Sequence, residues 1–255
     1  MRSLEALIGY PKLNVLRLPL AMSTFTTRMQ NLILSAPHCN SEIKTIVRSE
    51  RDLSEKLLLP FQTATTPLGI AAGYSPEGQL VAVAIVAERA QRELCVIVQF
   101  ETERRNGQIR LFHSEASIEM RKILEEKVLC RDVGELFAFD MGSLSMSLYS
   151  DLDLRISQAI DIQSAFPSAA RDPLVSIRRC LGDSGLKINE KSINQVFESF
   201  AYSDSRSDIA NLFHRAWIAR FVATYENGAQ VFDRVKRINT HQMPDIVSAG
   251  QGVSK

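Results

Sequence analysis

The most regular pattern of apolar residues lies in the last third of the chain. Between Ser205 and Glu226 apolar residues recur at steps of three and four, which places them on one face of a helix of about six turns. Ser205 or Ser207 is a suitable N-cap, and Asn227 with Gly228 suits the C-terminal end because these residues tolerate left-handed backbone. The apolar stripe consists of Ile209, Leu212, Phe213, Ala216, Trp217, Phe221 and Val222. The pattern predicts a long packing helix in which Trp217 is buried.

The middle of the chain has short, nearly continuous apolar runs instead. Leu68–Tyr74, Leu80–Ala87 and Leu94–Phe100 are typical of strands, and the turn Ser75–Gly78 has Pro and Gly at suitable positions. Because the runs are rich in Val and Ile and do not alternate with polar residues, we expect strands with both faces buried. The charged stretch Glu101–Arg110 is predicted to be a solvated hairpin turn.

The remaining elements alternate before the chain becomes helical. The pattern predicts, in order, a helix at Ser114–Leu129, a strand at Glu135–Asp140, a helix at Ser143–Tyr149, a strand at Ala159–Ile162, and helices at Pro173–Leu181, Glu190–Phe200 and Ser205–Glu226. Antiparallel strands that continue through helical crossovers form a mixed sheet. The predicted fold class is therefore α/β, with a mixed central sheet of about five strands, the first three antiparallel, flanked by helices.

The N-terminal and C-terminal parts differ from this core. Apolar spacing predicts a helix at Ser41–Leu59 that Pro60 ends, so we interpret residues 1–60 as a helical extension, 61–238 as the α/β domain and 239–255 as a disordered tail. Glu5 is the only acid before Ser41. An acid-poor start is compatible with an organelle-targeting segment, although a short structured extension is the more common explanation.

Composition narrows the class of protein but not its partner. The formal net charge is +1 and 23% of the residues are charged, so no basic excess argues for nucleic acid and no acidic excess argues against it. The four cysteines, Cys39, Cys95, Cys130 and Cys180, are too far apart for a metal knuckle or a disulfide framework, which indicates a reducing, intracellular environment. Arg17 and Pro19 interrupt the longest apolar stretch near the N-terminus, so we predict no membrane association.

The order of the elements resembles the ribonuclease-H-like fold of the DEDD superfamily of 3′–5′ exonucleases. The stretch His214–Arg220 is similar to that family's last motif, His-x-Ala-x-x-Asp-Ala, which marks its branch with a catalytic histidine. The resemblance covers about Leu68 to Glu226. It implies two divalent metals held by four acids, with the histidine as general base on the attacking water.

The acids of that family are missing at most positions of this chain. The first strand of the family carries Asp-x-Glu, whereas the matching stretch Gly69–Tyr74 contains no carboxylate. Ala219 stands at the position of the last aspartate, and Leu144 near that of the helix aspartate. Asp140 and His214 remain as a remnant pocket, too few oxygen ligands for hard divalent cations. We therefore predict no catalytic residue, no bound metal and no cofactor.

Three functions remain open at this point. The first is a catalytically inactive exonuclease-like module that binds or scaffolds, in RNA metabolism, with a protein or single-stranded RNA as partner. The second is an active nuclease that uses Asp140, Asp161 and His214. The third is an unrelated α/β interaction domain, in which His214 has the common role of a packed helix residue. Candidate RNA-binding arginines are scattered along the chain: Arg104, Arg105, Arg178, Arg179, Arg215 and Arg220.

Overall fold

The computed structural model describes residues 23–28, 42–89, 92–105, 108–167, 172–182, 186–225 and 228–244. The strands are β1 Ser23–Arg28, β2 Glu42–Ser49, β3 Leu68–Tyr74, β4 Leu80–Arg89, β5 Arg92–Gln99, β6 Thr102–Arg105, β7 Gln108–Leu111, β8 Leu136–Ala138 and β9 Ala159–Asp161. The helices are α1 Glu55–Gln62, α2 Glu115–Leu124, α3 Met141–Leu152, α4 Pro173–Leu181, α5 Glu190–Phe197, α6 Arg206–Thr224 and α7 Gly228–Phe232. None of these helices combines the length and the apolar character that crossing a membrane requires.

Seven of the described strands form one mixed sheet in the order β1-β2-β5-β4-β3-β8-β9. Strands β3, β4 and β5 pair antiparallel, whereas β8 and β9 run parallel to β3. These five strands are the predicted ones, and the predicted fold class is confirmed. Two further strands widen the sheet: β2 pairs parallel with β5, and β1 closes that edge antiparallel to β2.

Both faces of the sheet are buried, which explains the continuous apolar runs of the central strands. On β4, Val83 and Ile85 belong to the core that includes residues of α1, α2 and α3, while Ala82 and Ala84 belong to the core that includes residues of α4, α5 and α6. A strand with apolar side chains on both sides has no polar face, so its sequence does not alternate. The predicted burial of these strands is confirmed.

The predicted helix at Ser41–Leu59 is wrong over most of its length. The β-branched residues Ile43, Thr45, Ile46 and Val47 form β2, and α1 begins only at Glu55 after the capping hydroxyl of Ser54. β-Branched side chains pack well on the pleated surface of a sheet. A short apolar run is compatible with a helix and with a strand, and pairing with β5 makes this segment a strand. Pro60 lies inside α1. The boundaries between the three predicted domains stay predictions. The targeting hypothesis concerns residues 1–40, of which the structure describes only β1, Ser23–Arg28.

The predicted disordered tail begins inside a packed segment. The Ile238 N–H donates to the Ala159 carbonyl at 2.7 Å, and the Thr240 N–H donates to the Ile156 carbonyl at 2.9 Å. The Pro244 carbonyl accepts from the Tyr149 hydroxyl at 2.7 Å. The predicted tail is therefore wrong for residues 239–244, because its polar groups bond to the core. Residues 245–255 lie outside the described part of the chain.

Candidate functional site

Asp140 stands where β8 gives way to α3. Its φ of 56° lies in the left-handed region, which aspartate adopts more readily than most residues. Its N–H donates to the Gln163 side-chain oxygen at 3.0 Å, and the Ser143 hydroxyl donates to its carboxylate at 2.8 Å. The side chain is exposed. Asp140 thus presents a carboxylate at the carboxyl end of the parallel strands, where ligands of open α/β sheets bind.

Asp161 lies at the same end of the sheet, on the neighbouring strand β9. Ala138 of β8 and Asp161 are register partners. Its carboxylate accepts the Gln163 N–H at 3.0 Å and the Ser164 hydroxyl at 2.9 Å. Burial raises the pKa of Asp161, and the nearby charge of Asp140 raises it further, against the lowering effect of these donors. The structure therefore brings together the two acids that an alternative nuclease site requires.

His214 lies on α6 in an apolar setting. Its ring is half-buried, and among the described residues its Nδ1 atom is buried without a hydrogen-bond partner. Burial lowers the pKa of His214 to about 4, so the ring is neutral at pH 7. Within the described part of the chain no hydrogen bond or ion pair joins His214 to Asp140. Their combination as one remnant pocket stays a prediction.

The strand that carries two acids in the resembling family is here pressed against α6. A Cβ atom on Gly69 would lie 1.9 Å from the Ala216 carbonyl oxygen and 2.7 Å from the Arg220 backbone nitrogen. A Cβ atom on Gly73 would lie 2.9 Å from the Cβ atom of Tyr202. Both positions therefore require glycine because neighbouring groups occupy the side-chain space. β3 has no room for a carboxylate at either position.

The charged guanidinium of Arg215 lies against the carboxyl-terminal half of β3. Its guanidinium donates to the Ser199 carbonyl at 2.6 Å and to the Ala72 carbonyl at 3.1 Å, and it lies 4.4 Å from the centre of the Phe200 ring. The side chain is buried, and burial lowers its pKa to about 10, which leaves it charged at pH 7. A buried guanidinium opposes the binding of metal cations nearby.

The segment after α5 completes this cover. The prediction of one helix from Glu190 to Phe200 is wrong at its end, because α5 stops at Phe197 and the following residues run along β3. The Tyr74 N–H donates to the Phe200 carbonyl at 2.9 Å, and the Tyr202 N–H donates to the Tyr74 carbonyl at 2.8 Å. These two bonds give the N–H and carbonyl groups of Tyr74 hydrogen-bond partners, which they would lack if this end of β3 were uncovered. Helical spacing of apolar residues carries no signal for this pairing.

α6 is also tied to β4 and β5 by polar contacts. The Trp217 indole N–H donates to Glu93 at 2.6 Å, and Arg220 forms ion pairs with Glu93 and Glu88. The prediction that Trp217 is buried is confirmed, with 2% of the side chain exposed. Ala219 is fully buried beside them. These contacts hold α6 so that Ala216 faces Gly69.

The predicted RNA-binding arginines do not form one groove. Arg215 and Arg220 are buried and engaged as described. Arg178 pairs with Glu190, and Arg179 lies 5.5 Å from the centre of the Phe166 ring. The side chains of Arg104 and Arg105 are outside the described residues. The cleft beside β9 is lined by other basic residues, Arg234, Lys236 and Arg237.

The two metal ions that the resemblance implies do not fit the residues present. Among the described residues, no group of three or more His, Cys, Asp or Glu side chains could hold a metal ion. Two divalent ions about 4 Å apart need several carboxylates to offset their repulsion. Asp140 and Asp161 supply two, and β3 supplies none. The arrangement offers no step through a metal pair.

Comparison with solved structures places the chain near exonuclease domains, at low similarity. The Nibbler EXO domain of Aedes aegypti has a TM-score of 0.46 and 13% sequence identity, over 70% of this chain and 84% of that chain. The EXD2 exonuclease domain, soaked in Mn and GMP, has a TM-score of 0.32 and 15% identity, over 74% of this chain and 93% of that chain. No protein-family model matches the sequence, and no curated protein does. At these identities and TM-scores the two structures carry no information about the activity of this chain. The protein is therefore characterised by its mixed sheet and strand order.

Proposed function

We propose that this chain is a catalytically inactive exonuclease-like domain that acts as a binding or scaffolding module in RNA metabolism. The observation that carries the proposal is the close packing of β3 against α6. Gly69 and Gly73 leave no side-chain space, and Arg215 adds a buried positive charge to the end of the strand. An acidic side chain at either glycine would disrupt the fold rather than create a metal site.

The remaining titratable groups support the same function. A general base must accept a proton from water, and a histidine does so best when its pKa is near the working pH. Burial lowers the pKa of His214 to about 4, and no carboxylate orients its ring among the described residues. With this low pKa the ring is a weak base, so its abstraction of a proton from water has little driving force. We assign it a packing role in α6.

A second candidate function rests on the neighbouring carboxylates of Asp140 and Asp161. Burial raises the pKa of Asp161 and the charge of Asp140 raises it further, and both acids stand at the end of the sheet where ligands bind. A single divalent ion held by two carboxylates and water is a chemically reasonable arrangement, since Mg²⁺ usually keeps several waters. This alternative predicts weak metal-dependent cleavage.

One experiment separates the two functions. The purified chain is titrated with Mn²⁺ by calorimetry and then incubated with labelled single-stranded RNA and DNA, with Asp140→Asn and Asp161→Asn as variants. The proposal expects no cleavage by any form of the protein, while binding of RNA or of a protein partner is retained. Saturable Mn²⁺ binding, together with cleavage that both variants abolish, would overturn it.

A further inference from the structure

An open cleft of about 800 Å³ lies beside β9, on the opposite side of that strand from β8. Residues of the turn after β9 form one wall, and residues of α7 and the segment that follows it form the other. The lining residues are Asp161, Ser164, Ala165, Val231, Arg234, Val235, Lys236, Arg237, Ile238 and Asn239. Its volume lies in the range of about 300–1,000 Å³ that is usual for small-ligand pockets.

The cations of this cleft differ in how they are engaged. Arg237 pairs with Glu135 at 2.6 Å and donates to the carbonyls of Val235 and Asp233, so its guanidinium is fully used inside the protein. Arg234 and Lys236 are exposed and form no ion pair with any other described residue. Two exposed cations without an ion pair among the described residues are therefore available to an anion at the wall of the cleft.

The other lining groups indicate a ligand that carries more than an anionic group. Val231, Val235 and Ala165 give the cleft an apolar surface on which a ring can pack. Asp161 supplies carboxylate oxygens that could accept from a sugar hydroxyl, as acidic residues do in nucleotide sites. Cationic, apolar and acidic groups in one cleft match the phosphate, base and ribose of a nucleotide.

We propose that the cleft beside β9 binds a nucleoside phosphate, either free or as the phosphorylated end of an RNA strand, through Arg234 and Lys236. The site is separate from the surface between β3 and α6. The proposal names a ligand for the binding module proposed above, but it does not require that the module be inactive. Binding through the cleft and cleavage of RNA are measured by different assays, so one can fail without the other.

The test is calorimetric titration of the full chain with AMP, with adenosine and with inorganic phosphate. The test variant carries Arg234→Glu and Lys236→Glu. The control variant carries Lys56→Glu and Lys122→Glu, which makes the same change in net charge at exposed residues of α1 and α2, on the other face of the sheet. Because all four side chains are exposed, each variant should unfold at the temperature of the parent, which circular dichroism checks.

We expect saturable binding of AMP that the cleft variant weakens by about tenfold or more and the control variant by less than about twofold, because charge-assisted contacts to phosphate are among the strong hydrogen bonds. Adenosine and inorganic phosphate should each bind more weakly than AMP. Equal affinity of AMP for the cleft variant and the parent would overturn the proposal. So would the absence of saturable AMP binding, or inorganic phosphate that binds as tightly as AMP.

A second titration distinguishes the two sources of the phosphate. A short single-stranded RNA is compared with and without a 5′-phosphate. Tighter binding of the phosphorylated strand than of AMP assigns the cleft to an RNA end, whereas AMP that binds better than either strand assigns it to a free nucleotide. An acidic peptide that competes for the cleft as effectively as AMP would refute the nucleotide assignment and favour a protein partner.

Discussion

The surface between β3 and α6 and the cleft beside β9 have opposite characters. The surface between β3 and α6 is closed: backbone touches backbone at Gly69, and a buried guanidinium covers the Ala72 carbonyl. The cleft beside β9 is open, and two of its cations are solvent-exposed. Space for a ligand is thus absent beside one strand of the sheet and present beside another. The place of a binding site within a fold follows from side-chain volume and charge, and the strand order alone does not fix it.

The largest expected effect tests how tightly the closed region is packed. Gly69→Ala places a methyl group 1.9 Å from the Ala216 carbonyl oxygen, so β3 and α6 must separate. We expect a loss of about 4 kcal/mol or more in the free energy of unfolding, measured with urea, since backbone atoms cannot move aside as side chains do.

Gly142→Ala is the matched control. A Cβ atom on Gly142 meets no atom within 4 Å, and the residue lies in the first turn of α3. Alanine is the better helix former, so this variant should gain up to about 1 kcal/mol. Equal stability of the two alanine variants would show that β3 and α6 are not in contact at this point.

The second prediction concerns pH. Burial lowers the pKa of His214 from its ordinary 6.5 to about 4. The unfolded chain therefore binds a proton at a higher pH than the folded protein does, and stability falls as the pH decreases from 6.5 to 4. A shift of this size corresponds to about 3 kcal/mol, fully present above pH 6.5 and lost towards pH 4.

His214→Leu should remove this part of the pH dependence, measured as the free energy of unfolding at intervals between pH 7 and pH 4. His241→Leu is the control, because it replaces an exposed histidine. Other groups titrate in the same range, so the informative quantity is the difference between each variant and the parent. A His214→Leu curve parallel to that of the parent would contradict the buried, neutral histidine.

The smallest expected effect compares an arginine of the closed region with one of the open region. Arg215→Met leaves the carbonyls of Ala72 and Ser199 without their donors, and we expect a loss of about 2 kcal/mol in the free energy of unfolding. Arg234→Met removes an exposed side chain at the cleft, and it should change stability by less than about 0.5 kcal/mol.

Ligand binding should show the reverse order for these two arginines. Arg234→Met is expected to weaken AMP binding, whereas Arg215→Met should leave it unchanged at temperatures where the variant is folded. Thermal unfolding and calorimetry of both variants give the two comparisons. A stable Arg215→Met protein with impaired AMP binding would mean that the two regions form one site.

How far the candidate site could be predicted depended on the residue. Asp140 was placed correctly at a strand end, because a short apolar run followed by a helix pattern marks such a position. Asp161 lies beside Asp140 because β9 pairs parallel with β8. Arg215, a predicted RNA-binding residue, is instead buried. No sequence pattern marks Arg234 and Lys236, because exposed cations have no distinctive spacing.

The central strands and α6 follow from the residues alone, since they carry a local signal: continuous apolar runs for β3, β4 and β5, and a stripe at helical spacing around Trp217. Apolar spacing also predicts a helix over Ile43–Val47, and that prediction is wrong because pairing with β5 makes the segment a strand. The closure at Gly69 and the cleft beside β9 were decided only by the tertiary structure. Both depend on which segments, far apart in sequence, pack side by side. The local spacing of residues does not encode that packing.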